Sequence, residues 1–273
     1  MFADHQIASG CVTLAAEVAG DGDPVVFLHA AICDRRMWRP QLESLGAVCK
    51  AIAYDRRGFG KTQAAPEDHS AVADLMAVIN ALSDGKRAIL VGCSQGARVA
   101  LDAALMHPAR VRGLVLIAPT VAGAPEAVYT PAIKPMMTVL KDAESARDLD
   151  RVNSLKARLF LDGPLAPEGR VAGAARMQFL DMHGGVLRSP PAGKSVDDIP
   201  AFSRLGEIAM PSLVLWGEFD FPHIQDRARQ TAALMGGIGQ QVADTAHLPS
   251  IDRPAAITGL LQAFVERCTD STQ

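Results

Sequence analysis

A serine with a glycine two residues away on each side is the first chemistry this chain offers: Gly92-Cys93-Ser94-Gln95-Gly96. A serine hydroxyl attacks a carbonyl only when a base takes its proton and when it projects clear of the backbone. The apolar run at 88–91 (AILV) stops at Gly92, and a helical pattern starts at once over 96–106. Ser94 therefore stands on a strand-to-helix corner with no loop. A corner that tight requires small neighbours, which the two glycines supply, and the pattern is G-x-S-x-G. By composition this motif recurs by chance in on the order of one chain in ten. The strand before it and the helix after it carry the argument. The helix N-terminus at Ser94 also favours developing negative charge.

Such a serine needs a base and a group to orient it. Of seven histidines, His247 sits in VADTAHLPSIDRP, in a loop at the carboxyl edge of the sheet before a closing helix. His29 directly follows the VVFL run, too early for the order serine, acid, histidine. His107 ends a helix before Pro108, and His5 and His69 have no motif around them. His183 is a candidate substrate contact. His223 is the one rival base, three residues past the candidate acid. That acid is Asp220, which follows the apolar run SLVLW in Trp216-Gly217-Glu218-Phe219-Asp220. Glu218 is its nearest competitor, and Asp244 reads as a turn residue. The strand ending LVLIAPTVAG offers no carboxylate until Glu126.

The elements that must position these groups alternate. Short apolar strands are expected at 25–28, 48–54, 88–91, 114–117 and 213–216, with helices over 71–82, 96–106, 225–234 and 254–265. Wholly apolar strands alternating with helices indicate an α/β fold with a mainly parallel sheet covered on both faces. Residues 11–19 alternate in polarity and suggest an antiparallel edge strand. The alternation breaks between about 121 and 206, where helical patterns occur at 132–140, 143–160 and 171–182 without a clear strand. The expected organisation is a core of 1–121 and 207–273, with a helical insertion at 122–206.

Composition narrows the function classes. At 49% hydrophobic and 21% charged, the 273 residues suit a globular protein with a sizeable core. A net charge of −3, with charges scattered along the chain, gives no nucleic-acid footprint and no basic membrane patch. Five cysteines, an odd count without C-x-x-C, argue against a disulfide framework or a zinc site, and suit a reducing compartment. No signal peptide and no apolar run of about 20 residues is evident. The expectation is a cytoplasmic protein without metal or cofactor. Phe59-Gly60-Lys61-Thr62 ends like a P-loop, but the required first glycine position holds Asp55. GGIGQQ at 236–241 lacks the final glycine of a dinucleotide fingerprint.

With these residues in view, the chain resembles the α/β-hydrolase-fold serine hydrolases of the esterase and lactonase branch, and is similar to enol-lactonase-like and carboxylesterase-like proteins. The resemblance covers nearly the whole chain. It rests on FLHAAICDRRMW (27–38), YDRRGFGKT (54–62), GCSQG (92–96), HPARVRGLVLIAP (107–119), LVLWGEFD (213–220) and AHLPSIDRP (246–254). It implies a Ser94–His247–Asp220 triad, with the N–H groups of Ala31 and Gln95 binding the oxyanion. It further implies a helical cap over the site, structural roles for Asp55, Arg56 and Gly58, and Ala30 and Trp38 close to substrate, Trp38 near the pocket floor. Where the family usually reads His-Gly, this chain reads His29-Ala30, and alanine tolerates fewer backbone conformations. The implied reaction is hydrolysis of a small-molecule ester or lactone. Carbon–carbon bond hydrolysis and cofactor-free perhydrolysis are the alternatives on the same triad. A non-catalytic binding protein on the same fold is a third reading.

Overall fold

The computed structural model describes residues 2–270. Eight strands form one sheet: β1 (Phe2–Ser9), β2 (Val12–Ala19), β3 (Pro24–Leu28), β4 (Lys50–Tyr54), β5 (Ala88–Cys93), β6 (Val111–Ile117), β7 (Ser212–Gly217) and β8 (Ile238–Val242). Their spatial order is β1-β2-β4-β3-β5-β6-β7-β8. β1 and β2 are antiparallel to their neighbours, and β3 to β8 run parallel. Every residue of β3, β5 and β7 is buried, as a strand covered on both faces requires.

The helices are α1 (Arg39–Leu45), α2 (Ala71–Leu82), α3 (Gln95–Met106), α4 (Lys134–Ser145), α5 (Leu149–Lys156), α6 (Gly173–Arg188), α7 (Pro222–Met235), the short α8 (Pro249–Asp252) and α9 (Pro254–Asp270). Alternate strand residues feed two apolar layers. Phe27, Val91, Val115 and Leu215 face α1 and α9 through Leu42, Leu261 and Phe264. Val26, Leu90, Leu116 and Val214 face α2, α3 and α7 through Leu75, Leu101 and Ala228. The mainly parallel sheet and the helices on both its faces agree with the sequence reading.

The details depart from it in three places. Residues 12–19 form β2, which is interior; the edge is β1, whose exposed Asp4 and Gln6 and half-buried His5 carry no apolar signal. The strand expected at 48–54 starts at Lys50, because Val48 is exposed in the preceding turn. Between β6 and β7 the chain makes α4, α5 and α6, but the helix expected over 143–160 is split. Arg147 takes a positive φ of 56° after α4, and a π-helical turn over Ala157–Asp162 follows α5. Leu140, Val152, Leu159, Leu161 and Phe179 of this insertion join the same apolar layer as Phe27 and Val115. Among the described residues, no helix is long and apolar enough to cross a membrane.

Candidate active site

Ser94 is the junction between β5 and α3. Its backbone has φ 53° and ψ −113°, a positive-φ state that a side chain adopts only under constraint from its surroundings. The constraint is visible in the contacts. A Cβ at Gly92 would overlap the backbone of Gly96 and Ala97, and one at Gly96 would overlap the carbonyls of Leu28 and His29. The Ser94 N–H donates to the Ile117 carbonyl at 2.9 Å, and the Ser94 carbonyl accepts from Arg98 at 3.1 Å and Thr120 at 3.3 Å.

His247 and Asp220 stand beside this corner on loops at the carboxyl ends of β8 and β7. Both are buried. His247 Nδ1 donates to Asp220 Oδ2 at 2.9 Å, so a neutral ring carries its free lone pair on Nε2. Asp220 Oδ1 accepts the Phe221 N–H at 2.8 Å, which fixes the carboxylate plane. The Cys93 thiol contacts the His247 carbonyl oxygen at 3.7 Å, tying the histidine loop to the residue before Ser94. Burial pushes the Cys93 thiol pKa up, so it is a thiol, not a thiolate, at neutral pH. The His247 N–H donates to the Phe160 carbonyl in the π-helical turn at 3.2 Å, and the Phe160 ring meets the imidazole edge-on at 5.1 Å.

Among the described residues, none of the rival groups hydrogen-bonds to Asp220 or His247. His223 is the second residue of α7, half-buried against Tyr129 and Phe221 at centroid distances of 5.2 and 5.5 Å. Burial and then Arg227 lower its pKa. Glu218 accepts the Asp244 N–H at 2.9 Å, and Asp244 sits in a turn with φ 55°. His107 caps the end of α3.

The two N–H groups implied for the oxyanion come from different segments. Gln95 opens α3, so its N–H is one of those a helix leaves unpaired. Ala31 lies half-buried in the turn after β3. Neither Ala30 nor Ala31 has a positive φ, so this turn does not require the family's glycine. Ala30 is fully buried, with its N–H on Met37 Sδ at 3.4 Å and its carbonyl accepting from Cys33 at 3.2 Å. It offers a ligand no surface. Trp38 is fully buried too, its ring 5.3 Å from Phe27 in the sheet core. His183 is buried inside the insertion. Its Nδ1 donates to Asn153 Oδ1 at 2.9 Å, its ring stacks on Phe179, and burial and then Lys156 bring its pKa down to about 4. The substrate contacts expected of these three residues are therefore not available in this arrangement.

The sequence reading missed the Phe160 tie and the aromatic chain from His247 through Phe160 and Phe221 to Tyr129 and His223. No motif marks them, and Phe160 was expected at the end of an ordinary helix. Among the described residues, no group of three or more His, Cys, Asp or Glu stands close enough to hold a metal. A cavity of about 330 Å³ adjoins Gln95, between the turn after β4, α3 and the chain at 189–195.

Chemically, the arrangement can activate a hydroxyl. Ser94 projects from a strained corner beside a buried acid–histidine pair, with an unpaired helix N–H next to it. Known proteins match at this level. A 2-(acetamidomethylene)succinate hydrolase of Mesorhizobium japonicum is 27% identical over 80% of this chain and 78% of its own. A Mycobacterium tuberculosis protein provisionally named a non-heme bromoperoxidase is 37% identical over 93% and 98%. Among solved structures, a Thermogutta terrifontis esterase superimposes with TM-score 0.74 at 23% identity, covering 97% of this chain and 99% of that one. An enol-lactonase of Burkholderia xenovorans gives 0.73 at 20%, covering 96% and 100%. Residues 25–259 match the alpha/beta hydrolase family. With its eight-stranded sheet and its corner at Ser94, the chain belongs to the alpha/beta hydrolase family.

Proposed function

We propose that the chain is a serine hydrolase that cleaves a small-molecule carboxylic ester or lactone through an acyl-enzyme. The observation that carries the reading is the positive-φ Ser94 at the β5–α3 corner, beside a buried Asp220–His247 pair whose loop bonds to Cys93. His247 Nε2 takes the Ser94 proton as the oxygen attacks the carbonyl carbon. Asp220 keeps the proton on Nδ1 and stabilises the imidazolium that forms. The carbonyl electron pair moves onto oxygen, where the Ala31 and Gln95 N–H groups receive it, each worth about 3 kcal/mol in such sites. Collapse expels the alkoxide, which takes the proton from His247, and water repeats the sequence on the acyl-enzyme. The segment 122–206 acts as a cap over this site. The hydrolase and esterase names among the relatives and structural neighbours support the same bond class.

A second reading, perhydrolysis to a peracid on the same triad, is favoured by the relative named as a bromoperoxidase. One experiment tests both. Purified protein and its Ser94→Ala variant are assayed on p-nitrophenyl acetate to octanoate, with and without hydrogen peroxide, with circular dichroism in parallel. Wild type should turn over at least one ester, and Ser94→Ala should keep its spectrum and lose turnover by about 10³-fold or more. Turnover in Ser94→Ala within tenfold of wild type would overturn the nucleophile. Peracid formation well above ester hydrolysis would favour the second reading.

A further inference from the structure

The residue that joins the two halves of the oxyanion hole is Arg56. Its Nη2 donates to the His29 carbonyl at 3.0 Å, in the segment that leads to Ala31. Its Nη1 donates to Gln95 Oε1 at 3.0 Å, in the residue whose backbone N–H is the other donor. Its own backbone N–H donates to His29 Nε2 at 3.1 Å. With Nε2 accepting, His29 Nδ1 donates to the Ala30 carbonyl at 2.8 Å, so the imidazole is a neutral spacer with both nitrogens used. Burial, then Arg56, holds the His29 pKa well below its usual value and keeps it neutral. Phe59 closes the stack, with the guanidinium 4.8 Å above its ring and His29 4.8 Å from its centroid.

Arg56 is also out of place by the usual rules for buried charge. It is 8% exposed, and among the described residues it forms no ion pair: its guanidinium donates to two neutral acceptors, the Gln95 side-chain oxygen and the His29 carbonyl. Its Nε is buried without a partner. The arginines around it differ. Arg35 is paired with Asp55, Arg57 with Asp74 and Arg98 with Asp102. A buried, unpaired cation is costly, so this arrangement calls for a negative charge that is not part of the resting protein.

We infer that Arg56 is a positioning residue of the oxyanion hole, setting the separation of the Ala31 and Gln95 N–H groups and leaving a free positive charge behind them. Oxyanion donors work over a narrow distance range, so a small drift of either segment weakens one of them. The charge acts in the same direction. A carbonyl oxygen in the bound ester is nearly neutral, whereas the tetrahedral intermediate carries a full negative charge. A cation with no carboxylate to quench it stabilises the second more than the first, which lowers the barrier without tightening substrate binding.

The inference rests on the serine-hydrolase reading, and the experiment separates the two. Arg56→Met and Arg56→Lys are compared with wild type for kcat and KM on p-nitrophenyl butyrate, and for inhibition by an alkyl trifluoromethyl ketone. That ketone forms a bond from its carbonyl carbon to Ser94 Oγ, with the proton on His247 and the negative charge on the former carbonyl oxygen. Arg56→Met should lower kcat by about 10- to 100-fold with KM within threefold, and raise the ketone Ki by a similar factor. Arg56→Lys, which keeps the charge and one donor, should recover part of both. Gln95→Met removes one acceptor of the Arg56 fork; it is the second variant should Arg56→Met not fold, and should show the same kcat-only loss on a smaller scale. A kcat within threefold of wild type, or a loss carried by KM with Ki unchanged, overturns the inference. So does a loss that vanishes below the melting transition. If wild type itself turns over no ester, or Ser94→Ala remains active, the underlying reading fails and the inference with it.

Discussion

At the scale of single residues, the pairing of Asp220 with His247 supports His247 as the base of the proposed reaction. His223 lies within the same aromatic group, but both Asp220 oxygens are already bonded, to His247 and to the Phe221 N–H. His247→Ala should therefore cost at least about 10³-fold in ester turnover, and Asp220→Asn about 10²- to 10⁴-fold through the wrong tautomer. His223→Ala should cost less than about tenfold. If His223→Ala proves the more damaging histidine change, the base assignment is wrong. His183 yields a prediction about stability. Its ring stays neutral in the fold down to about pH 4, whereas the unfolded chain takes up a proton near the ordinary value of 6.5. Between these values the unfolded state binds more protons, so stability present above the upper value is lost as pH falls. Wild type should lose about 2 kcal/mol more than His183→Asn between about pH 7 and about pH 5. Denaturation curves at the two pH values measure this, and parallel losses in both proteins would refute it.

At the scale of elements, the β5–α3 corner is held from both sides. Gly96 lies against the carbonyls of Leu28 and His29, so the corner and the turn after β3 share one contact. Gly96→Ala should force these apart, destabilising the protein by about 1–3 kcal/mol and lowering kcat more than KM, because the Ala31 and Gln95 N–H groups would separate. Urea titration and steady-state kinetics test it; unchanged stability would show that the backbone yields without strain. The corner was legible in the sequence because its constraint is local: a buried strand, two glycines and a helix fall within twenty residues. β3, β5 and β7 were legible for a similar reason, since a doubly covered strand is apolar throughout. β1 was not, because an edge strand with Asp4 and Gln6 exposed around a half-buried His5 has no apolar period to read. The split of the 143–160 helix was hidden because a π-helical turn keeps helical spacing while moving Phe160 around the axis. The resemblance implied a structural role for Arg56 in the turn after β4. Its link to Gln95 was not legible, because 39 residues separate the two in the chain.

At the scale of the whole molecule, residues 122–206, proposed as a cap, also share in the core. Leu159, Leu161 and Phe179 share an apolar layer with Phe27 and Val115, and Arg170 reaches the Asp244 carbonyl at 2.8 Å and the Asp252 carboxylate. Replacing 122–206 with a short linker should therefore cost turnover even on p-nitrophenyl acetate, by about 100-fold or more, besides shifting chain-length preference. Turnover within tenfold of wild type, with only preference altered, would return the segment to the role of a selectivity filter. The hydrogen bond from the His247 N–H to the Phe160 carbonyl has a consequence for how substrates are told apart. On the proposed mechanism this makes the insertion an interlock: the base is seated only while the Phe160 turn is seated. An ester too bulky to let that turn settle could still reach Ser94, but would meet a histidine with one anchor gone. Discrimination against bulk would then be written into kcat and not into affinity, and large, poorly processed esters would behave as competitive inhibitors that the protein holds but fails to cut.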